Sequence, residues 1–270
     1  MKTPAPAPAP APDPNRWTDL RPRLLSAIVM IAVGAAEIWL GGRSFAALAI
    51  LLTGGMIWEL ARITAPARRN TPLAMALVGA GGLFAALAFN GDLATAALLV
   101  PSLALALTPR RDRRIAAAYA AAIMIAGFGL VDLRLTDGNG QSAILWLISV
   151  VVVSDVSGYF AGRILGGPKF WPAVSPKKTW SGTVAGWIGA IVVGLVFYLG
   201  GYGNIGVLLL SPVIAFAGQL GDIVESWLKR RAGIKDSSTL IPGHGGLLDR
   251  FDALIGATVA LMLIGLILPG

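Results

Sequence analysis

The feature that most constrains this 270-residue chain is repetition: apolar runs that approach or reach the length of a bilayer crossing recur along nearly all of it. They fall at residues 24–40, 45–60, 73–89, 93–107, 115–131, 143–161, 183–199, 205–220 and 247–268, about nine spans. Composition agrees. With 56% hydrophobic and 13% charged residues and a mean hydropathy of +0.73, the chain is too apolar for a soluble domain. The expected fold class is all-α, a polytopic integral membrane protein.

Cysteine is absent, which excludes a disulfide framework, a zinc-thiolate site and a thiol nucleophile, and the single His244 cannot build a histidine metal cluster. Residues 1–22 form a Pro/Ala-rich arm that cannot make a core and is expected to be disordered and extended. The arm lacks the parts of a signal peptide, so the first apolar run is expected to stay as an anchor. Residues 23–135 are then expected to carry the N-terminal and middle membrane helices, and residues 143–270 a C-terminal membrane region.

Positive charge orients the spans, because Lys and Arg concentrate in cytoplasmic loops. With the N-terminus inside, all of the 22 Lys and Arg residues except Arg43 and Arg134 lie on the inner side, whereas Asp92, Asp132 and Asp137 lie outside. A cytoplasmic N-terminus and a periplasmic C-terminus are expected, in a bacterial cytoplasmic (inner) membrane. The net charge of +8 is divided among loops beside apolar helices, which fits anionic membrane lipid better than nucleic acid.

One inner stretch carries more than orientation. Asp222, Glu225, Ser226, Lys229 and Arg230 recur at i, i+3, i+4, i+7 and i+8, on one face of a helix continuing from an apolar span. In a soluble helix such a stripe is a solvated face with i,i+4 ion pairs. Beside a membrane an unpaired acid is expensive, which favours a site. Gly233 is expected to end the helix, and Pro242-Gly243-His244-Gly245-Gly246 then forms either a tight turn or a loop whose amides meet phosphate oxygens. Asp249 and Asp252 face one way at the start of the last span. Hard oxygen donors of this kind suit Mg2+, which takes one or two carboxylates and completes its shell with water and substrate phosphates. Lys177 and Lys178 are either phosphate ligands or inside anchors. Asp155, within an apolar run, is either a site acid or a packing acid paired with a neighbour such as Arg163.

The run Ser226, Lys229-Arg230, Lys235-Asp236, Pro242, His244-Gly245-Gly246, Asp249-Arg250 and Asp252 resembles the signature of the phosphatidate cytidylyltransferase, or CDP-diacylglycerol synthase, family. The resemblance extends upstream to Gly221-Asp222, Glu225, Ser175-Pro176-Lys177-Lys178-Thr179 with Gly182, and Asp155 with Gly158-Tyr159-Phe160 and Gly162-Arg163. It covers the last four spans, while the first five match as generic apolar helices. Ser181 stands where the family commonly has an acid and is left outside the expected site.

The resemblance implies transfer of a cytidylyl group from CTP to phosphatidic acid, giving CDP-diacylglycerol and pyrophosphate, with Mg2+ and with the role of a second, monovalent cation left open. It implies catalytic roles for Asp222, Asp249, Lys229, Lys235 and Asp236, the first two as metal ligands. It implies substrate binding by Ser175, Lys177, Lys178, Thr179, Ser226, Arg230, His244, Gly245, Gly246 and Arg250. Small residues along the later spans leave room for a homodimer. Three other classes are weighed beside it. A CDP-alcohol phosphotransferase would need an Asp-Gly-x-x-Ala-Arg run, which is absent. A CTP-dependent lipid-alcohol kinase would move the γ-phosphate instead, and a transporter would leave the 222–252 cluster unexplained.

Overall fold

The computed structural model describes residues 20–267 apart from 66, 68–70 and 137. The Pro/Ala arm as far as residue 19, and Gly270, lie outside the described residues. In chain order come α1 (Leu20–Leu40), α2 (Gly42–Thr64), α3 (Thr71–Ala88), α4 (Asp92–Ala96), a 3-10 turn (Ala97–Leu99), α5 (Val100–Leu107), α6 (Arg113–Leu135) and α7 (Gly140–Ile164). A hairpin of β1 (Lys169–Trp171) and β2 (Ser175–Thr179) precedes α8 (Trp180–Leu199), α9 (Ile205–Ala232) and α10 (Leu248–Ile267).

Among the described residues eight helices are long and apolar enough to cross a membrane. The ninth expected span is the broken run Asp92–Leu107, about 24 Å long at helical rise, against a hydrocarbon core of about 30 Å. Its break has a local cause: Pro101, which has no N–H, sits in the first turn of α5, where an N–H would lack a helical partner anyway. The run nevertheless traverses the bundle. The Arg111 amide donates to Thr64 O (2.9 Å) and the Arg110 guanidinium to Thr64 Oγ1 (2.9 Å). The start of α6 therefore shares an end with the end of α2, and only residues 92–107 can bring the chain back from the far end of α3. At that far end the Arg134 guanidinium donates to Ile38 O (2.8 Å), joining α6 to α1. Leu20 and Ile267 consequently lie at opposite ends of the bundle.

A short hairpin joins α7 to α8 within the all-α bundle. Gly166 and Gly167 take positive φ after α7 and turn the chain out of the helix. Trp171 and Ser175, register partners, each precede a proline, which pushes both toward extended backbone. The paired strands present the Lys177-Lys178 segment at the same end as the start of α8, whose N-cap Thr179 accepts from the Gly182 amide (3.2 Å).

Helix α9 runs unbroken into the polar stripe, as its spacing predicts, and ends at Gly233, which takes left-handed φ of 75° and donates to Arg230 O and Lys229 O. Close helix approach sets the polar groups: a Cβ on Gly221 would collide with Asp252 O and crowd Gly256, so α9 and α10 touch backbone to backbone beside Asp222. One buried cluster joins Ile57, Leu60, Met75, Leu83, Ile123 and Met124 of the first half to Leu228, Leu248 and Ile255 of the last two helices. A second, with Trp146, Val150, Val193 and Ile214, packs α7, α8 and α9. Large apolar side chains such as Leu25, Ile31, Leu77 and Val196 face outward, as lipid-facing positions do.

Candidate active site

Two polar clusters lie at the end of the bundle shared by α2, the hairpin and the α9–α10 connection. The first is a cavity of about 420 Å³ between α7, α8, α9 and β2, lined among others by Asp155, Arg163, Lys177, Lys178, Gln219 and Asp222. Lys178 Nζ reaches Asp222 Oδ2 (2.5 Å) and Gln219 O (3.2 Å), and Asp222 Oδ1 accepts from Ser226 Oγ (3.3 Å) one turn on. The Asp222 side chain keeps 32% exposure, so acceptor capacity remains open to the cavity. Lys177 is exposed on the cavity wall. Asp155 lies on the same wall, while the Arg163 guanidinium donates to Tyr159 Oη (2.8 Å), so the pairing of Asp155 with Arg163 is not formed. Beneath the cavity, Gln219 accepts from Trp187 Nε1 (3.1 Å) and donates to Thr183 O (3.3 Å), tying α8 to α9.

The second cluster lies where α9 meets the start of α10. Lys229 Nζ sits 2.5 Å from both Glu225 Oε2 and Asp249 Oδ1, with all three side chains almost withdrawn from solvent. Asp249 Oδ2 accepts from the Ser237 amide (2.8 Å), the Ser237 hydroxyl (2.8 Å) and the Gly246 amide (2.7 Å). The glycine loop is thus a nest for a carboxylate of the protein itself. His244 Nδ1 meets Ser26 Oγ (2.7 Å) of α1, and Ile241 pairs with Gly245 across the turn. Outside, the Arg231 guanidinium grips Asp112 through two bonds (2.8 and 2.7 Å) and holds that carboxyl below its ordinary pKa range.

The expected site residues therefore divide. Lys177, Lys178, Thr179 and Asp222 line the cavity, and Ser226 supports Asp222. Lys229, Gly246 and Asp249 form the buried cluster, with Gly245 and His244 in the loop above it. Ser175 is half-buried in β2, and Arg230, Lys235, Asp236 and Arg250 are exposed and do not line the cavity. Ser181, at the position of the family's acid, donates to Gly166 O and meets Thr179 Oγ1 (3.0 Å), closing the turn before the hairpin. Sequence reasoning passed over Glu59, Ser237, Ser238 and Gln219. Glu59 had a readable signal, a lone acid inside an apolar run, by the same rule that singled out Asp155.

Asp222 offers hard oxygens to the cavity, and magnesium usually takes one or two carboxylates alongside phosphate and water. Both oxygens of Asp249 are engaged, Oδ1 by Lys229 and Oδ2 by Ser237 and Gly246, so Asp249 would reach a metal by giving up one of those partners. No group of three acids or imidazoles among the described residues could hold a metal by itself.

A helical bundle with lipid-facing apolar helices, a cation-lined cavity and ion-paired carboxylates at one end defines an integral membrane protein with a polar site at that end. The chain belongs to the cytidylyltransferase family, which it matches over residues 21–268, and it is accordingly a nucleotidyltransferase. It is 36% identical to the phosphatidate cytidylyltransferase of Brucella abortus over 259 residues, 93% of this chain and 94% of that one. It is 41% identical to the phosphatidate cytidylyltransferase of Staphylococcus saprophyticus over 136 residues, 49% of this chain and 52% of that one. The likeness thus extends well beyond the last four spans into helices that the motifs alone left generic.

Proposed function

We propose that the chain transfers the cytidylyl group of CTP to phosphatidic acid, giving CDP-diacylglycerol and pyrophosphate at the cytoplasmic surface of a bacterial inner membrane. The observation that carries this reading is the cavity in which Lys177, Lys178 and Arg163 stand beside Asp222. Its cations suit phosphate oxygens, and its polar end suits a lipid headgroup meeting a nucleotide from water.

In the reaction a phosphate oxygen of phosphatidic acid bonds to the α-phosphorus of CTP, and the bond from that phosphorus to the α,β-bridging oxygen breaks. Pyrophosphate leaves with the electron pair. The attacking oxygen is already anionic, so the protein has little need of a base and must instead hold the two anions in line. Lys177 and Lys178 neutralise and orient phosphate groups. Asp222, and Asp249 beside Lys229, would hold magnesium, which when bound supplies charge neutralisation on the reacting and leaving phosphates. The exposed Arg230, Lys235 and Arg250 add positive potential toward the incoming nucleotide.

The homodimer expected from small residues remains part of this reading, though Gly182, Gly186 and Gly221 close contacts within the chain, so the self-association surface must lie elsewhere. The reaction is tested with purified protein, phosphatidic acid and CTP labelled at either the α- or the γ-phosphate. Label in lipid from the α-position alone is expected. Label in lipid from the γ-position would replace cytidylyl transfer by a lipid kinase.

A further inference from the structure

We propose that Glu59, on α2 and distant in sequence from every signature motif, is a positioning residue of the active site: its carboxylate clamps both ends of the 237–248 loop and, through Ser237, holds Asp249 in place. Glu59 is fully buried. Its Oε1 accepts from Ser238 Oγ (2.6 Å) and the Leu247 amide (2.9 Å), and its Oε2 from Ser237 Oγ (3.1 Å) and the Leu248 amide (2.7 Å). Each oxygen thus faces one hydroxyl from the start of the loop and one amide from its end. A carboxylate offers about four acceptor sites, and here all face donors of one loop, the Ser237 proton being shared with Asp249.

Two further observations tie this carboxylate to the site. Leu247 and Leu248 bring the first amides of α10, where backbone N–H groups lack helical partners and the helix dipole favours an anion. Glu59 therefore fixes the start of the helix that carries Asp249. Moreover, a Cβ on Gly246 would collide with both Ser237 Oγ and Glu59 Oε1. Gly246 is required to be glycine because the carboxylate from α2 lies against its backbone, which a phosphate-binding reading of the loop does not explain.

Ser237 makes the coupling direct. Its hydroxyl faces Glu59 Oε2 at 3.1 Å and Asp249 Oδ2 at 2.8 Å, and it has one proton to donate. Any shift of Glu59 therefore changes the donors around Asp249, which also holds Lys229 (2.5 Å). The effect on turnover rests on the cytidylyl-transfer reading, while the loop clamp can be measured without it.

The native chain has no cysteine, so Leu240→Cys carries a single spin label on the loop, and Asp92→Cys a control label at the far end. In nanodisc-reconstituted full-length protein, Glu59→Gln places an amide among loop donors. It is expected to lower kcat about 10- to 100-fold, as loss of a partner behind a metal carboxylate does. KM for CTP should change far less, and the label at 240 should become mobile while the label at 92 is unaltered. Wild-type kcat in Glu59→Gln, or lowered kcat with the 240 label as immobile as before, would overturn the proposal. Should Glu59→Gln fail to fold, Ser238→Ala removes one clamp donor and is read the same way: lowered kcat with a mobile label supports the clamp, and wild-type values of both overturn it. A wild type that makes no CDP-diacylglycerol would sink the parent reading instead, and the 240 label would still decide whether the clamp exists.

Discussion

Lys229 shows how much a single buried cation carries. It stands between Glu225 and Asp249 at 2.5 Å from each, and Glu225 Oε1 has no other partner among the described residues. Lys229→Met would leave two acids buried without their cation. Breaking such an arrangement costs about 3–5 kcal/mol, so a marked fall in the thermal unfolding midpoint is expected alongside loss of activity, and an unchanged midpoint would show the acids to be solvated. Asp249→Asn keeps the size of the side chain but puts an amide among the Lys229, Ser237 and Gly246 donors. Turnover should fall to near background, and near-normal kcat would remove Asp249 from the metal-binding pair. Lys177, exposed on the cavity wall and free of the Asp222 pair, isolates a substrate contact: Lys177→Ala should lower kcat/KM by about 1.5–3 kcal/mol, the range for hydrogen bonds to charged groups. Normal kinetics with altered membrane insertion would make it an anchor. Much of this scale was legible, because acids and lysines are few in an apolar chain and those of the 222–252 stretch stand out. The division of labour was not. The i,i+4 spacing of Glu225 and Lys229 showed that they could meet, but which of Lys177 and Lys178 would pair with Asp222 depends on the hairpin, and Glu59 is held from 178 to 189 residues away.

At the scale of elements, α9 was the most readable, since its stripe and terminal glycine are both local signals. The hairpin was hidden in a loop too short and too charged to show alternation, although its two prolines carried the hint. The fastening of α9 to the α5–α6 connection also lay beyond local patterns, because Asp112 and Arg231 are 119 residues apart. That ion pair gives a pH prediction. Asp112 has its pKa lowered in the folded protein, so its contribution is complete above the ordinary carboxylate range and is lost as pH falls through the folded value. Asp112→Asn should unfold at a lower temperature than wild type at neutral pH, with the gap closing in acid. A gap that stays constant or widens on acidification would show that the pair contributes nothing through charge.

For the whole molecule, contacts among the described residues put the starts of α6 and α10 at the polar end, and the charge bias expects that end to face the cytoplasm. Single cysteines test that directly: a reagent that cannot cross the membrane, added to intact cells, should label Asp92→Cys and spare Leu240→Cys. The reverse pattern would invert the topology and deny the site its CTP. Membrane class was plain from hydropathy, and eight of the nine expected spans are long apolar helices among the described residues, but the joining of the two halves was not legible, since a core shared by α2, α6 and α10 arises from helix packing that periodicity does not specify. The central claim is that the cavity beside Asp222 transfers a cytidylyl group, and its most direct measurement is lipid labelling by reconstituted wild type and Asp222→Asn from α-labelled CTP and phosphatidic acid. Wild type should yield labelled CDP-diacylglycerol with one pyrophosphate released per lipid, and the variant close to none. Wild-type turnover in Asp222→Asn, or lipid product without pyrophosphate, would contradict it.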